Sequence, residues 1–298
     1  MSTNEITSNL GNIPGQKIYA ERMKKAGLFT LFIFCGLIVF VFGTSYFDQF
    51  GTNSSGTFKL LSSGLFLGTA LLCGRKEYLK RFKGIFYAFF VASSVNVVTW
   101  YFAVLARDEL FELLSISVTT VPGMTAAKLS EAVLTIGTIL VLVKVSGDDL
   151  GSVYIQRGNL KWALRIGVLA LLNLTATALM IASFSGNEME SIIPNIPWFV
   201  LFAFMNGFME ELWFRGLFLG RLQPYIGEGG AVWMTSIWFG IMHIFAVYVS
   251  GAAALVFGVV TITLGLAFAL LMQKTKTIWG ATIFHSAADL LWFIAFGL

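Results

Sequence analysis

Long apolar stretches separated by short polar breaks run through the whole chain. A helix needs about 20 largely apolar residues to cross a bilayer, and nine stretches approach that length: residues 27–47, 58–73, 84–105, 129–144, 163–184, 197–214, 231–248, 252–272 and 278–297. The second and fourth are short, so they are expected to be tilted, half-buried or wrongly bounded, and the expected count is eight to nine. The pattern predicts an all-α fold, a polytopic transmembrane helical bundle. Pro194 and Pro197 mark a turn before the sixth stretch. No repeat or long linker divides the chain, so one transmembrane domain over residues 26–298 is expected after a polar tail, residues 1–25.

Composition supports that picture. Hydrophobic residues make up 57% of the 298, charged residues 12%, and mean hydropathy is +0.79, too apolar for a soluble globular domain. A net charge of +4 and a pI near 9.0 invite a nucleic-acid reading, but the basic residues fall in short patches between apolar runs, so nucleic acid is not an expected partner. The polar start ends in Arg22, Lys24 and Lys25 ahead of an apolar run, which also describes a signal peptide. That run is long for a signal core, and Gly43-Thr44-Ser45-Tyr46 is a poor cleavage site, so a retained first span is expected. Cys35 and Cys73 sit in or at the end of apolar runs and are expected to be buried, inert thiols with no disulfide or metal role.

Lys and Arg accumulate on the cytoplasmic side of membrane proteins. Lys17, Arg22, Lys24 and Lys25 precede the first stretch, and Arg75, Lys76, Lys80, Arg81 and Lys83 lie between the second and third. Arg157 with Lys161, Arg215 with Arg221, and Lys274 with Lys276 continue the alternation. The intervening connections hold Asp48, then Asp108, Glu109 and Glu112, then Glu188 and Glu190, with Lys59, Arg107 and Lys128 as exceptions. A multi-pass protein of the cell membrane with a cytoplasmic N-terminus and an external C-terminus is expected. The first five stretches read as nearly devoid of ionisable groups. Asn96 and Asn173 stand alone there and are expected to make helix-to-helix hydrogen bonds.

The last third is different. Ionisable groups in hydrocarbon are costly, and they are usually paired, face a wet cavity or do chemistry. Residues 204–222 carry Glu210-Glu211-x-x-x-Arg215 inside an apolar helical run. Neighbours on a helix point about 100° apart, so the two glutamates cannot share a face. Glu211 and Arg215 are four apart and should pair, which leaves Glu210 to face a cavity. The only histidines are His243, four residues after Phe239, and His285, four before Asp289. Three helices can aim Glu210, His243, His285 and Asp289 into one pocket, where an imidazole and a carboxylate sharing a water form a general base and a second polar pair holds an oxyanion. A purely structural cluster would explain the Glu211–Arg215 pair but would strand the other four groups at several kcal/mol each.

The ordered set Glu-Glu-x-x-x-Arg, Phe-x-x-x-His and His-x-x-x-Asn/Asp, over roughly residues 206–292, resembles the CAAX protease and bacteriocin-processing family, which includes the type II CAAX prenyl endopeptidases. The resemblance implies a glutamate-dependent intramembrane peptidase whose catalytic core is residues 196–298, with residues 26–195 matching only in being hydrophobic. It implies that Glu210 and His243 activate water, that His285 and Asp289 stabilise the oxyanion, and that Glu211 and Arg215 form a supporting ion pair. Asp289 departs from the commoner Asn, and an ionised carboxylate offers no donor. Either Asp289 is protonated, or it orients His285 and the imidazole alone donates.

The expected partners are the lipid bilayer and a membrane-associated peptide or protein substrate; the loop charges place Glu210 near the inner end of its span, so that substrate is expected to be presented from the cytoplasmic side. No cofactor is expected. Zinc held by Glu210, His243, His285 and Asp289 is the alternative, weakened by the lack of His-Glu-x-x-His. A non-enzymatic bacteriocin-immunity or peptide-binding protein, or a proton-relaying transporter, are further alternatives. The sequence does not identify the substrate or the oligomeric state.

Overall fold

The computed structural model describes residues 14–44, 55–185, 189–245 and 251–296. Asp48 and Glu188, used in the loop-charge argument, lie outside the described residues.

Each of the nine apolar stretches overlaps a helix within the described residues, and no strand occurs among them. The helices are α1 (Pro14–Phe40), α2 (Ser55–Arg75), α3 (Lys83–Leu114), α4 (Val121–Val145), α5 (Leu160–Phe184), α6 (Ile196–Glu210), α7 (Leu219–Ile244), α8 (Ala252–Thr275) and α9 (Trp279–Phe296). The protein is a polytopic helical bundle, and six of the nine are long and apolar enough to span a bilayer: α1 to α5 and α8. The other three, α6, α7 and α9, carry Glu210, His243 and His285. The two short stretches are full helices of 21 and 25 residues, because polar positions such as Lys59, Lys128 and Glu131 lie inside them and shorten the apolar run.

Several charges expected in connections are therefore inside helices. Lys59 is on α2 with 2% of its surface exposed, Arg107 is on α3, and Lys128 pairs with Glu131 on α4 at 2.8 Å. Arg215 is likewise no loop residue; it is fully buried. The expectation of early helices nearly free of ionisable groups is corrected accordingly. The polar tail also changes character at Pro14, from which α1 runs continuously into the first span.

An aromatic cluster fastens the centre. Phe40 stacks on Phe214 at 4.3 Å and lies against Trp213, Phe218 and Trp238, while Phe89 reaches Phe218 and Trp238. Ring contacts of this kind add directional packing to apolar burial, and here they tie α1 and α3 to the segment after α6 and to α7. Polar groups add interhelical bonds, as small donors do in membrane bundles. Asn96 donates to the Val39 carbonyl at 2.8 Å, joining α3 to α1, and Trp213 donates to Ala92 O at 3.2 Å. Asn173 departs from its expectation, since it lies exposed on α5 and makes no side-chain bond to another helix among the described residues.

At the end of the bundle where α2 finishes, loops pin the helices to one another. Asn159 N–H donates to Thr275 O at 2.7 Å, Ile278 N–H to Tyr154 O at 3.0 Å, and Arg221 pairs with Asp148 at 2.7 Å. Pro224 and Gly227 interrupt α7 in this region; Gly227 takes φ 80°, a left-handed value that a side chain resists, so the helix is two segments joined at a kink. α5 and α9 pack against each other closely, with Gly280 bringing α9 against the Ala163 backbone, where a Cβ would collide.

Candidate active site

Glu210 ends α6, and the six residues that follow, Glu211–Gly216, form a π-helical turn. Such wide turns cost backbone geometry and recur at functional sites. The widened turn sets the two glutamates on different tasks, as the sequence argument required. Glu211 Oε1 accepts from Arg215 Nη1 at 2.8 Å, and both side chains are wholly buried. The same oxygen accepts from His285 Nδ1 at 2.9 Å. The Arg215 guanidinium also lies 4.3 Å over the Phe239 ring and 5.7 Å from that of Phe268, which lowers the cost of keeping a cation in apolar surroundings. Gly265 of α8 makes room for it: a Cβ there would stand 2.7 Å from Arg215 Nη2.

Glu210 faces the other way. Its Oε2 is 3.6 Å from His285 Nε2 and 4.0 Å from His243 Nε2, beyond direct hydrogen-bond length. His243 Nδ1 lies 2.7 Å from the carbonyl of Phe239. A carbonyl only accepts, so Nδ1 carries the proton in the neutral ring and Nε2 presents a lone pair toward Glu210. Both rings are held by aromatic faces: Phe239 is 4.3 Å from His243, and Phe268 stacks on His285 at 4.9 Å. The Phe239 ring thus lies against Arg215, His243 and His285.

Asp289 Oδ1 is 3.8 Å from His285 Nε2, and its Oδ2 accepts from Asn206 Nδ2 at 3.0 Å. Asn206 was not among the residues singled out in the sequence. It stands one helical turn before Glu210, at the same four-residue interval that links the other pairs, inside an apolar run. That spacing was the available signal. Asn206 is 8% exposed and its Oδ1 has no hydrogen-bond partner.

The six side chains singled out thus come together: Glu210, His243, His285 and Asp289 surround one point, with Glu211 and Arg215 behind His285. No group of three or more His, Cys, Asp or Glu side chains among the described residues has the arrangement of a metal site. Cys35 and Cys73 are buried and unbonded, far along other helices.

In front of Glu210 lies a cavity of about 520 Å³. Its walls come from Thr44 after α1, Lys59 of α2, Asn96, Trp100 and Arg107 of α3, Glu131 of α4, and Met242 of α7. The first four helices, whose sequence shows only that they are apolar, therefore build the space into which Glu210 points.

Residues 192–291 match the family described as Type II CAAX prenyl endopeptidase Rce1-like. The match covers the stretch that carries all three motifs, so the resemblance read from those motifs holds there, and the family suggests a CAAX-type intramembrane protease. No curated protein and no solved structure shows a significant match to the chain.

Proposed function

We propose that the protein hydrolyses a peptide bond within the membrane, using a water held between Glu210 and His243. The observation that carries this reading is the buried Glu210 carboxylate, which lies 3.6 and 4.0 Å from two imidazole Nε2 atoms and itself lines a cavity. Those gaps exceed a direct bond and suit a shared hydroxylic partner.

In this reading Glu210 and the His243 Nε2 lone pair take a proton as the water oxygen attacks the scissile carbonyl carbon. The carbonyl π electrons move to oxygen, and the resulting oxyanion needs donors that are in place beforehand. His285 Nε2–H is one when its ring is doubly protonated, its Nδ1 being engaged by Glu211 Oε1 at 2.9 Å. Asn206 supplies a second, since one of its two amide N–H groups is engaged by Asp289 and the other remains. The amide that the family pattern leads one to expect at position 289 is thus available from α6. Collapse of the intermediate breaks the C–N bond, and the proton taken from water passes to the leaving amine.

Comparing the termini of membrane peptides in cells carrying the intact chain or Glu210→Gln tests the proposal. Termini that depend on Glu210 support it. Identical termini in the two strains, with both proteins present at equal level, overturn it.

A further inference from the structure

Several residues that line the cavity in front of Glu210 lie toward one end of the bundle, and that end carries information about the substrate. Lys59 is four residues into α2, whereas Arg75 is its last residue. Sixteen residues separate them, about 24 Å along the helix axis, most of a bilayer's hydrocarbon thickness. Thr44 follows the last turn of α1, and Arg107 lies in the last third of α3. All three line the cavity, so it runs from Glu210 toward the α1–α2 end and away from the basic connection Arg75–Lys83. Val104 on its wall is 51% exposed and the Arg107 side chain 36%, marking the mouth.

The walls are mostly apolar but carry polar groups that a peptide backbone can use. Lys59 sits 4.4 Å over the Trp100 ring, and Asn96, Thr99, Glu131 and Thr135 follow inward. The connection at the opposite end holds Arg75, Lys76, Lys80, Arg81 and Lys83, the densest basic cluster in the chain, and such clusters are retained in the cytoplasm. The loop-charge reading led to an expectation of access from the cytoplasm; the residues that line the cavity run toward the other end.

We propose that the substrate reaches Glu210 from the extracytoplasmic face, through the mouth between Val104 and Arg107 and past Lys59, so that the bond cleaved belongs to a peptide exposed outside the cytoplasm. This rests on the hydrolytic reading for its word substrate, but the route itself is measured without turnover. In a chain with Cys35→Ala and Cys73→Ala, single replacements Val104→Cys and Thr99→Cys mark the mouth and the inner wall, and Lys80→Cys marks the basic connection. Whole cells and opened cells are treated with a membrane-impermeant sulfonated maleimide.

The expected result is labelling of Val104→Cys and Thr99→Cys in whole cells, and of Lys80→Cys only after opening. Labelling of Lys80→Cys in whole cells, with the cavity positions protected, overturns the proposal by inverting the chain. Failure of both cavity positions to label from either side overturns it as well, by showing no aqueous path. Glu210-dependent termini, read separately, should in addition fall when Thr99→Cys is labelled from outside; unchanged cleavage would mean that peptide arrives by another route. A wild-type chain that cleaves nothing but labels as expected refutes the hydrolytic reading and leaves the route standing.

Discussion

Replacing Arg215 with methionine removes a cation that is wholly buried and leaves the Glu211 carboxylate without its guanidinium partner at 2.8 Å. Breaking a buried pair on one side costs about 3 to 5 kcal/mol, because the remaining charge stays desolvated. The structure places the loss toward the lower figure: His285 Nδ1 still donates to the same Glu211 oxygen at 2.9 Å. Methionine also keeps apolar contact with Phe239, over which the guanidinium lies at 4.3 Å. A loss of about 3 kcal/mol at roughly 2 °C per kcal/mol for a chain of this size lowers the melting midpoint by about 6 °C. Adding Glu211→Gln removes the stranded charge, and most of the loss should return, since deleting both members of a buried pair is often near neutral. The assay is thermal unfolding of purified protein in one fixed detergent and pH, following the monodisperse fraction for all four members of the cycle. An unchanged midpoint for Arg215→Met refutes the buried-pair argument. A double variant less stable than the single refutes it too. Cleavage supplies an independent check: the double variant should stay slow despite its recovered stability, because a neutral amide no longer holds the His285 ring as a charged partner.

Glu210→Gln and His243→Ala should each lower turnover by about 10²- to 10⁴-fold, the usual contribution of a general base, while the melting midpoint stays within a degree or two of the native one; native turnover in either contradicts the water-activating role. Asn206→Ala should lower turnover by about 10²-fold or more, as loss of one oxyanion donor does, and Asp289→Asn should be tolerated or raise activity, because it adds a donor; an inactive but folded Asp289→Asn would show that the carboxylate itself is required. Gly265→Ala should destabilise by about 1 to 3 kcal/mol through overpacking against Arg215 Nη2, 2.7 Å from the added carbon, read as a lower midpoint in the same detergent assay. Exhaustive chelation should leave cleavage by the purified chain intact; activity lost to the chelator and restored by zinc alone would favour the metal reading of Glu210, His243, His285 and Asp289.

The number and type of elements were legible because apolar run length is a one-dimensional property: each of nine stretches overlaps a helix, and the bounds differ where polar positions such as Lys59, Arg107, Lys128 and Glu131 lie inside helices. The pairings within one helix were equally legible. Glu211 with Arg215 and His285 with Asp289 follow from four-residue spacing, and adjacent glutamates had to diverge. What spacing could not supply is any relation between helices. That His285 shares the Glu211 oxygen with Arg215, that Asn206 steadies Asp289, and that Phe239 and Phe268 wall in both charge and imidazole depend on how α6, α7, α8 and α9 lie against one another. The cavity is the clearest case. Lys59, Arg107 and Glu131 are isolated charges in the sequence, on three helices whose apolar faces say nothing of their neighbours. Only the packing of those helices around Glu210 turns them into the walls of one cavity and decides toward which end it extends.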